Sequence, residues 1–133
     1  MWIQASYDYT GTSAVGLFSA GVGGSYSSDH ATRFSHDGGS DSTQTGTTYG
    51  LIIPDTNGGR AYANIFMINK ADKEKLIICD ATCVGSTGSG TAPQRTESVT
   101  KVANTSNQLN SFKFHDADGN NLNNGIMKVW GFD

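Results

Sequence analysis

No stretch of twelve residues in this chain carries apolar side chains at helical spacing. What recurs instead is alternation: Phe112 and Phe114 are interleaved with Ser111, Lys113 and His115. A period of two places one face of a strand in a core and the other in solvent. Gly, Ser, Thr and Asn supply about two-fifths of the 133 residues. Glycine and asparagine tolerate the positive φ of tight turns, so this composition suits many short strands joined by turns and suits long helices poorly. Hydrophobic residues make up only 36%, but regularly spaced Ile, Phe, Tyr and Val segments separate the chain from disordered sequences of similar polarity. The expectation is a single all-β domain over residues 1–133. At this length a domain buries roughly two-thirds of its unfolded surface.

The pattern predicts about nine strands: Trp2–Tyr9, Ala14–Ala20, His30–His36, Thr47–Ile53, Tyr62–Asn69, Lys75–Val84, Glu97–Ala103, Leu109–His115 and Ile126–Trp130. Their spacing, with turn chemistry between them, is that of a sandwich or barrel. Lys70–Ile78 reads as a hairpin turn feeding a strand, with Lys70, Asp72, Lys73, Glu74 and Lys75 forming a solvated charge cluster. Two segments almost without apolar residues, Asp37–Gly46 and Gly85–Pro93, read as long loops. Loops of that length in a compact domain commonly carry function, for example by reaching to a neighbouring subunit.

Net charge is −3, and the nine Lys and Arg residues are scattered from Arg33 to Lys128. Without a basic stripe to neutralise phosphates, neither nucleic acid nor an anionic membrane is an expected partner. Leu51–Ile53 and Leu76–Cys79 are too short to span a bilayer. Met1–Asp8 lacks the basic and apolar regions of a secretory leader. The composition is that of an extracellular β-protein, yet neither a leader nor a disulfide framework accompanies it.

Candidate chemistry is sparse. In an extended strand the Cα atoms of Cys79 and Cys83 stand ~13 Å apart, beyond the ~7 Å limit of a disulfide. They read as reduced, small core residues on one face. His30 and His36 lie ~20 Å apart along one strand, too far to share an ion. With His115 they read as surface or turn histidines. Asp116, Asp118 and Asn120 occupy the first three oxygen-ligand positions of a calcium loop, but Asn121 stands where glycine is needed and Met127 where glutamate is. The segment reads as a β-turn, with a weak calcium site as the alternative. No nucleophile elbow or phosphate loop occurs. A catalytic pair of carboxylates has no pointer, because the only glutamates are Glu74 and Glu97. The expectation is a protein that is not an enzyme and uses no cofactor. The thirteen aromatic residues belong in a core or a subunit interface, although aromatics beside Asn and Asp also suit sugar stacking.

The C-terminal phrase Asn124-Gly125-Ile126-Met127-Lys128-Val129-Trp130-Gly131 resembles the closing edge of small β-sandwich virion proteins of tailed bacteriophages, whose typical ending is F-x-x-G-S-x-I-x-V-(Y/W)-G. Asn124 and Ile126 flank the glycine where the family usually has phenylalanine and serine. A looser echo runs from Leu17 to Ser25. The resemblance implies an antiparallel, jelly-roll-like β-sandwich and a structural virion protein made in the host cytoplasm, most closely a capsid decoration or cement protein. Such a protein is commonly a homotrimer, bound to the major capsid protein or other virion proteins. The alternative is a carbohydrate-binding module or the receptor-binding domain of a tail fibre. A pilin-like or secreted surface protein is a third reading, and the missing leader speaks against it. For an assembly protein the expected interface residues are Trp2, Tyr7 and Tyr9 in the N-terminal segment and Asp41 and Gln44 in the Asp37–Gly46 loop.

Overall fold

A computed structural model describes residues 1–9, 16–53, 59–84, 92–116 and 122–131. The chain forms ten strands: β1 (Trp2–Tyr9), β2 (Gly16–Gly21), β3 (His30–His36), β4 (Ser42–Thr47), β5 (Gly50–Ile53), β6 (Gly59–Ile68), β7 (Lys75–Cys83), β8 (Gln94–Val102), β9 (Ser111–Asp116) and β10 (Leu122–Trp130). They assemble into a seven-stranded sheet in the order β10-β1-β6-β7-β8-β3-β4 and a three-stranded sheet in the order β5-β2-β9. Every pairing is antiparallel. The antiparallel β-sandwich is therefore the fold, with β6, β7 and β8 following one another as a meander within the large sheet.

The core lies where the small sheet covers the large one. Ile3, Ala61, Ala63, Ile65, Met67, Ile77, Cys79, Ala81, Cys83 and Val102 point inward from the large sheet to meet Phe18, Ala20 and Leu109. Strand β7 alternates buried and exposed at every position, as does β8 from Thr96 onward. The inner face of β8 is nonetheless hydroxylic: Thr96, Ser98 and Thr100 are all buried. Thr100 is satisfied by a 2.8 Å hydrogen bond with Thr32 on neighbouring β3, so its hydroxyl avoids the desolvation cost of an unpaired one.

Four expectations need correction. The segment Asp37–Gly46 is not all loop, because β4 starts at Ser42 and pairs with β3. A strand without apolar side chains leaves no alternation to read. The single strand expected over Thr47–Ile53 is divided: β4 ends at Thr47 in the large sheet, and β5 starts at Gly50 in the small one. Lys75 is not part of the solvated cluster. It is fully buried, because it shares the inward parity of Ile77 and Cys79, and its Nζ donates to the Asn104 carbonyl at 2.6 Å. His30 is likewise buried. Its Nδ1 lies 3.0 Å from Asp29 Oδ1, and burial, opposed by Asp29, lowers its pKa.

Candidate interaction surface

Three strands cannot cover seven. The outer face of the large sheet has no covering layer among the described residues, yet it is rich in large apolar side chains. Cross-strand register arranges them in rows. Trp130 lies opposite Trp2, Trp2 opposite Phe66, Phe66 opposite Ile78 and Ile78 opposite Val99. Beyond Val99 the row continues through Arg33 to Thr43. One turn of pleat away, Ile68 pairs with Leu76 and Leu76 with Lys101. Ile68 is 61% exposed, Ile78 48%, Phe66 47% and Val99 44%. On a monomer in water such a contiguous patch marks an interaction site, whereas isolated exposed apolar residues would not.

A polar row follows on the other side of the aromatic one: Lys128, Gln4, Asn64, Asp80, Glu97 and Ser35. Its charges are organised. Arg95 reaches Asp80 with both Nε (3.1 Å) and Nη2 (3.3 Å), and Nη2 lies 2.6 Å from Glu97. The Arg95 pKa is raised by the hydrogen bond and charge of Asp80 and by the charge of Glu97. Gln4 donates to the Tyr62 hydroxyl at 2.7 Å, and the Trp2 indole N–H donates to Asn64. Gln4, Asn64, Asp80 and Glu97, in the middle of this row, are thus each tied to a neighbouring side chain.

The aromatic geometry bears on what this face can hold. Trp2 and Trp130 stack with centroids 4.5 Å apart at 23°, and Trp2 and Phe66 lie parallel at 5.9 Å. Trp2 is therefore flanked by a ring on each side. A sugar ring stacks on a free aromatic face, whereas Trp2 in this row already stacks with two neighbouring rings.

Of the expected interface residues, Trp2 stands in the aromatic row. Tyr7 and Tyr9 lie in β1, and their side chains fall outside the described residues. Asp41 lies beyond the Arg33 end of the row and pairs with Arg33 at 3.3 Å. Gln44, opposite Thr32 in β4, is half-buried. The residues that sequence reasoning missed are Trp130, Phe66, Ile68, Leu76, Ile78 and Val99. One signal for them existed: the unbroken runs Ile65–Ile68 and Leu76–Cys79 are what a strand covered on both faces looks like.

The other candidates separate. Asp116 ends β9 and is buried; Asp118 and Asn120 lie outside the described residues. Among the described residues no three His, Cys, Asp or Glu side chains cluster as a metal site. Cys79 and Cys83 are buried, unbridged and on the inward face, with burial pushing the Cys79 pKa up to about 12. Ser19 Oγ and His115 Nε2 meet at 2.9 Å, the separation of a nucleophile and its base. Ser19 is 3% exposed, however, so no substrate reaches that oxygen. The His115 pKa is lowered, first by burial and then by Lys113. No described helix is long and apolar enough to cross a membrane.

Comparison with protein-family models, curated proteins and solved structures returns no match for this chain.

Proposed function

We propose that this chain is a structural assembly protein, a virion component of the capsid-decoration class that its C-terminal phrase resembles, and that it works through protein–protein contact. The observation that carries this reading is the row Trp130-Trp2-Phe66-Ile78-Val99 on the outer face of the large sheet. Burying it against protein gains roughly 25 cal/mol for each Å² of apolar surface removed from water. The paired ions and amides beside it form the polar rim that specific interfaces have around an apolar centre. The partners are the major capsid protein or other virion proteins, together with copies of the chain itself. Symmetric presentation on a shell lets individually weak contacts add up, and the particle forms in the host cytoplasm.

The experiment is co-sedimentation with shells assembled from the major capsid protein encoded in the same genome, using wild type and Phe66→Ser. Wild type is expected to pellet with shells, not with unassembled capsid protein, and the variant to stay largely in the supernatant. Saturable glycan binding without any shell binding would overturn the proposal in favour of a sugar-binding module.

A further inference from the structure

We infer that the outer face of the seven-stranded sheet is covered by the same face of a second copy, about a two-fold axis that runs parallel to the strands between β6 and β7. The inference rests on the assembly reading and names the partner of that surface.

Area comes first. From β10 to β8 the face is five strands wide, and four rows of outward residues run from Ile68 to Tyr62. At ~4.8 Å between strands and ~6.7 Å between rows, that is on the order of 600 Å² of projected surface. Side-chain relief raises the accessible area towards the ~800 Å² per partner of stable complexes. Sheets packed face to face lie ~10 Å apart with strands nearly aligned, which is the geometry of this axis.

Complementarity selects the axis. A two-fold along the strands keeps each row facing its own copy and reverses the strand order. Phe66 then meets Ile78 of the second copy, Ile68 meets Leu76, and Trp2 meets Val99, because β6 faces β7 and β1 faces β8. At the ends of the row, Trp130 on β10 meets Arg33 on β3, a guanidinium over an indole. In the polar row Gln4 faces Glu97, and Lys128 falls one strand from Glu97, so a cation of one copy approaches an acid of the other. An axis across the strands, along the Trp130–Val99 row, does the opposite. It sets Leu76 against Asp80 and Ile68 against Asn64, covering charge with hydrocarbon at a desolvation cost. The face is self-complementary in one orientation and not in the other. The resulting dimer doubles every surface left free, which raises avidity for a symmetric shell.

Sedimentation equilibrium of the whole chain at micromolar concentration tests this. Wild type is expected to be dimeric, and Phe66→Glu or Ile78→Glu to weaken association about thirty-fold or more, the weight of a central interface side chain. Circular dichroism should show both variants folded, since the positions are solvent-facing in the single chain. Orientation is read by a short bis-maleimide: a mixture of Ile68→Cys and Leu76→Cys chains should cross-link into heterodimers. Preferential linking of Leu76→Cys to Asp80→Cys would overturn the axis, and a trimer would overturn the two-fold. A wild-type monomer whose shell binding is lost in Phe66→Glu would overturn the second copy as partner and leave the assembly reading standing. A dimer that ignores every shell would do the reverse.

Discussion

The indole of Trp2 stacks on that of Trp130 with centroids 4.5 Å apart, so the first and last strands of the chain are joined by their side chains as well as by their ladder. Both strands are described to the ends of that contact: Trp2 opens β1 and Trp130 closes β10. On β1's other side the terminal ammonium donates to the Met67 carbonyl at 3.0 Å, and Met67 N–H donates to the Met1 carbonyl at 2.9 Å. The edge of the large sheet is therefore assembled from residues nearly the whole chain length apart, and its stability is expected to depend on the aromatic stack.

A double-mutant cycle measures that dependence. Trp2→Leu and Trp130→Leu should each destabilise the fold in urea, with a coupling of about 0.5–1.5 kcal/mol beyond lost area. These are the only two tryptophans, so their close stacking should also give an exciton-split band in the far-ultraviolet circular dichroism. Either substitution should abolish it. Additive urea effects and an unchanged spectrum would mean that the rings do not stack in solution.

Stability should fall as the solution is acidified below neutrality. Burial, the leading cause, lowers the pKa values of His30 and His115. The unfolded chain then binds more protons than the folded one below about pH 6.5. The stabilisation is complete above that value and is lost as pH falls through it towards the lowered folded values. Thermal melts at pH 7.5 and 5.5 should show a lower Tm at the acid pH, and a smaller drop in His30→Gln. A Tm that rises on acidification would contradict the burial of these rings.

Neither cysteine should react while the protein is folded. Cys79 and Cys83 are buried, and desolvation, followed by the charge of Asp80, pushes the Cys79 thiol up to about 12. Since the thiolate is the nucleophile, a thiol reagent at pH 8 should label both groups only after denaturant is added. Rapid labelling of the native chain would place them at the surface.

How far the sequence disclosed all this differs by element. Strands β1 and β3 were legible to the residue, since alternation and flanking turn residues bound both. Strand β4 was not, because Ser42-Thr43-Gln44-Thr45-Gly46-Thr47 carries no apolar residue, and only its ladder to β3 makes it a strand. Lys75 misled because a lysine in a charged turn reads as solvated, and only the register of β7 reveals that its stem points inward. The interaction face was half-visible. The unbroken apolar runs in β6 and β7 signalled a need for cover on both sides. That Trp130, Trp2, Phe66, Ile78 and Val99 fall in one line depends on strand order and register, which one sequence does not encode locally.

A close approach between the two sheets provides the last prediction. Gly50 opens β5 over β8 of the opposite sheet, and a Cβ there would lie 3.1 Å from Thr100 Cβ and 3.2 Å from its methyl, with the hydroxyl nearer still. Thr100 cannot swing aside freely, because its hydroxyl is tied to Thr32 at 2.8 Å in a fully buried site. Gly50→Ala must therefore push the sheets apart or break that hydrogen bond, and overpacking of this kind costs about 1–3 kcal/mol. The denaturation midpoint should fall accordingly. In a Thr100→Ala background both the hydroxyl and the methyl that crowd this position are gone, so Gly50→Ala should cost clearly less there than in the wild type. If Gly50→Ala were neutral, or equally costly in both backgrounds, β5 would not lie against β8 in the way that closes this end of the sandwich.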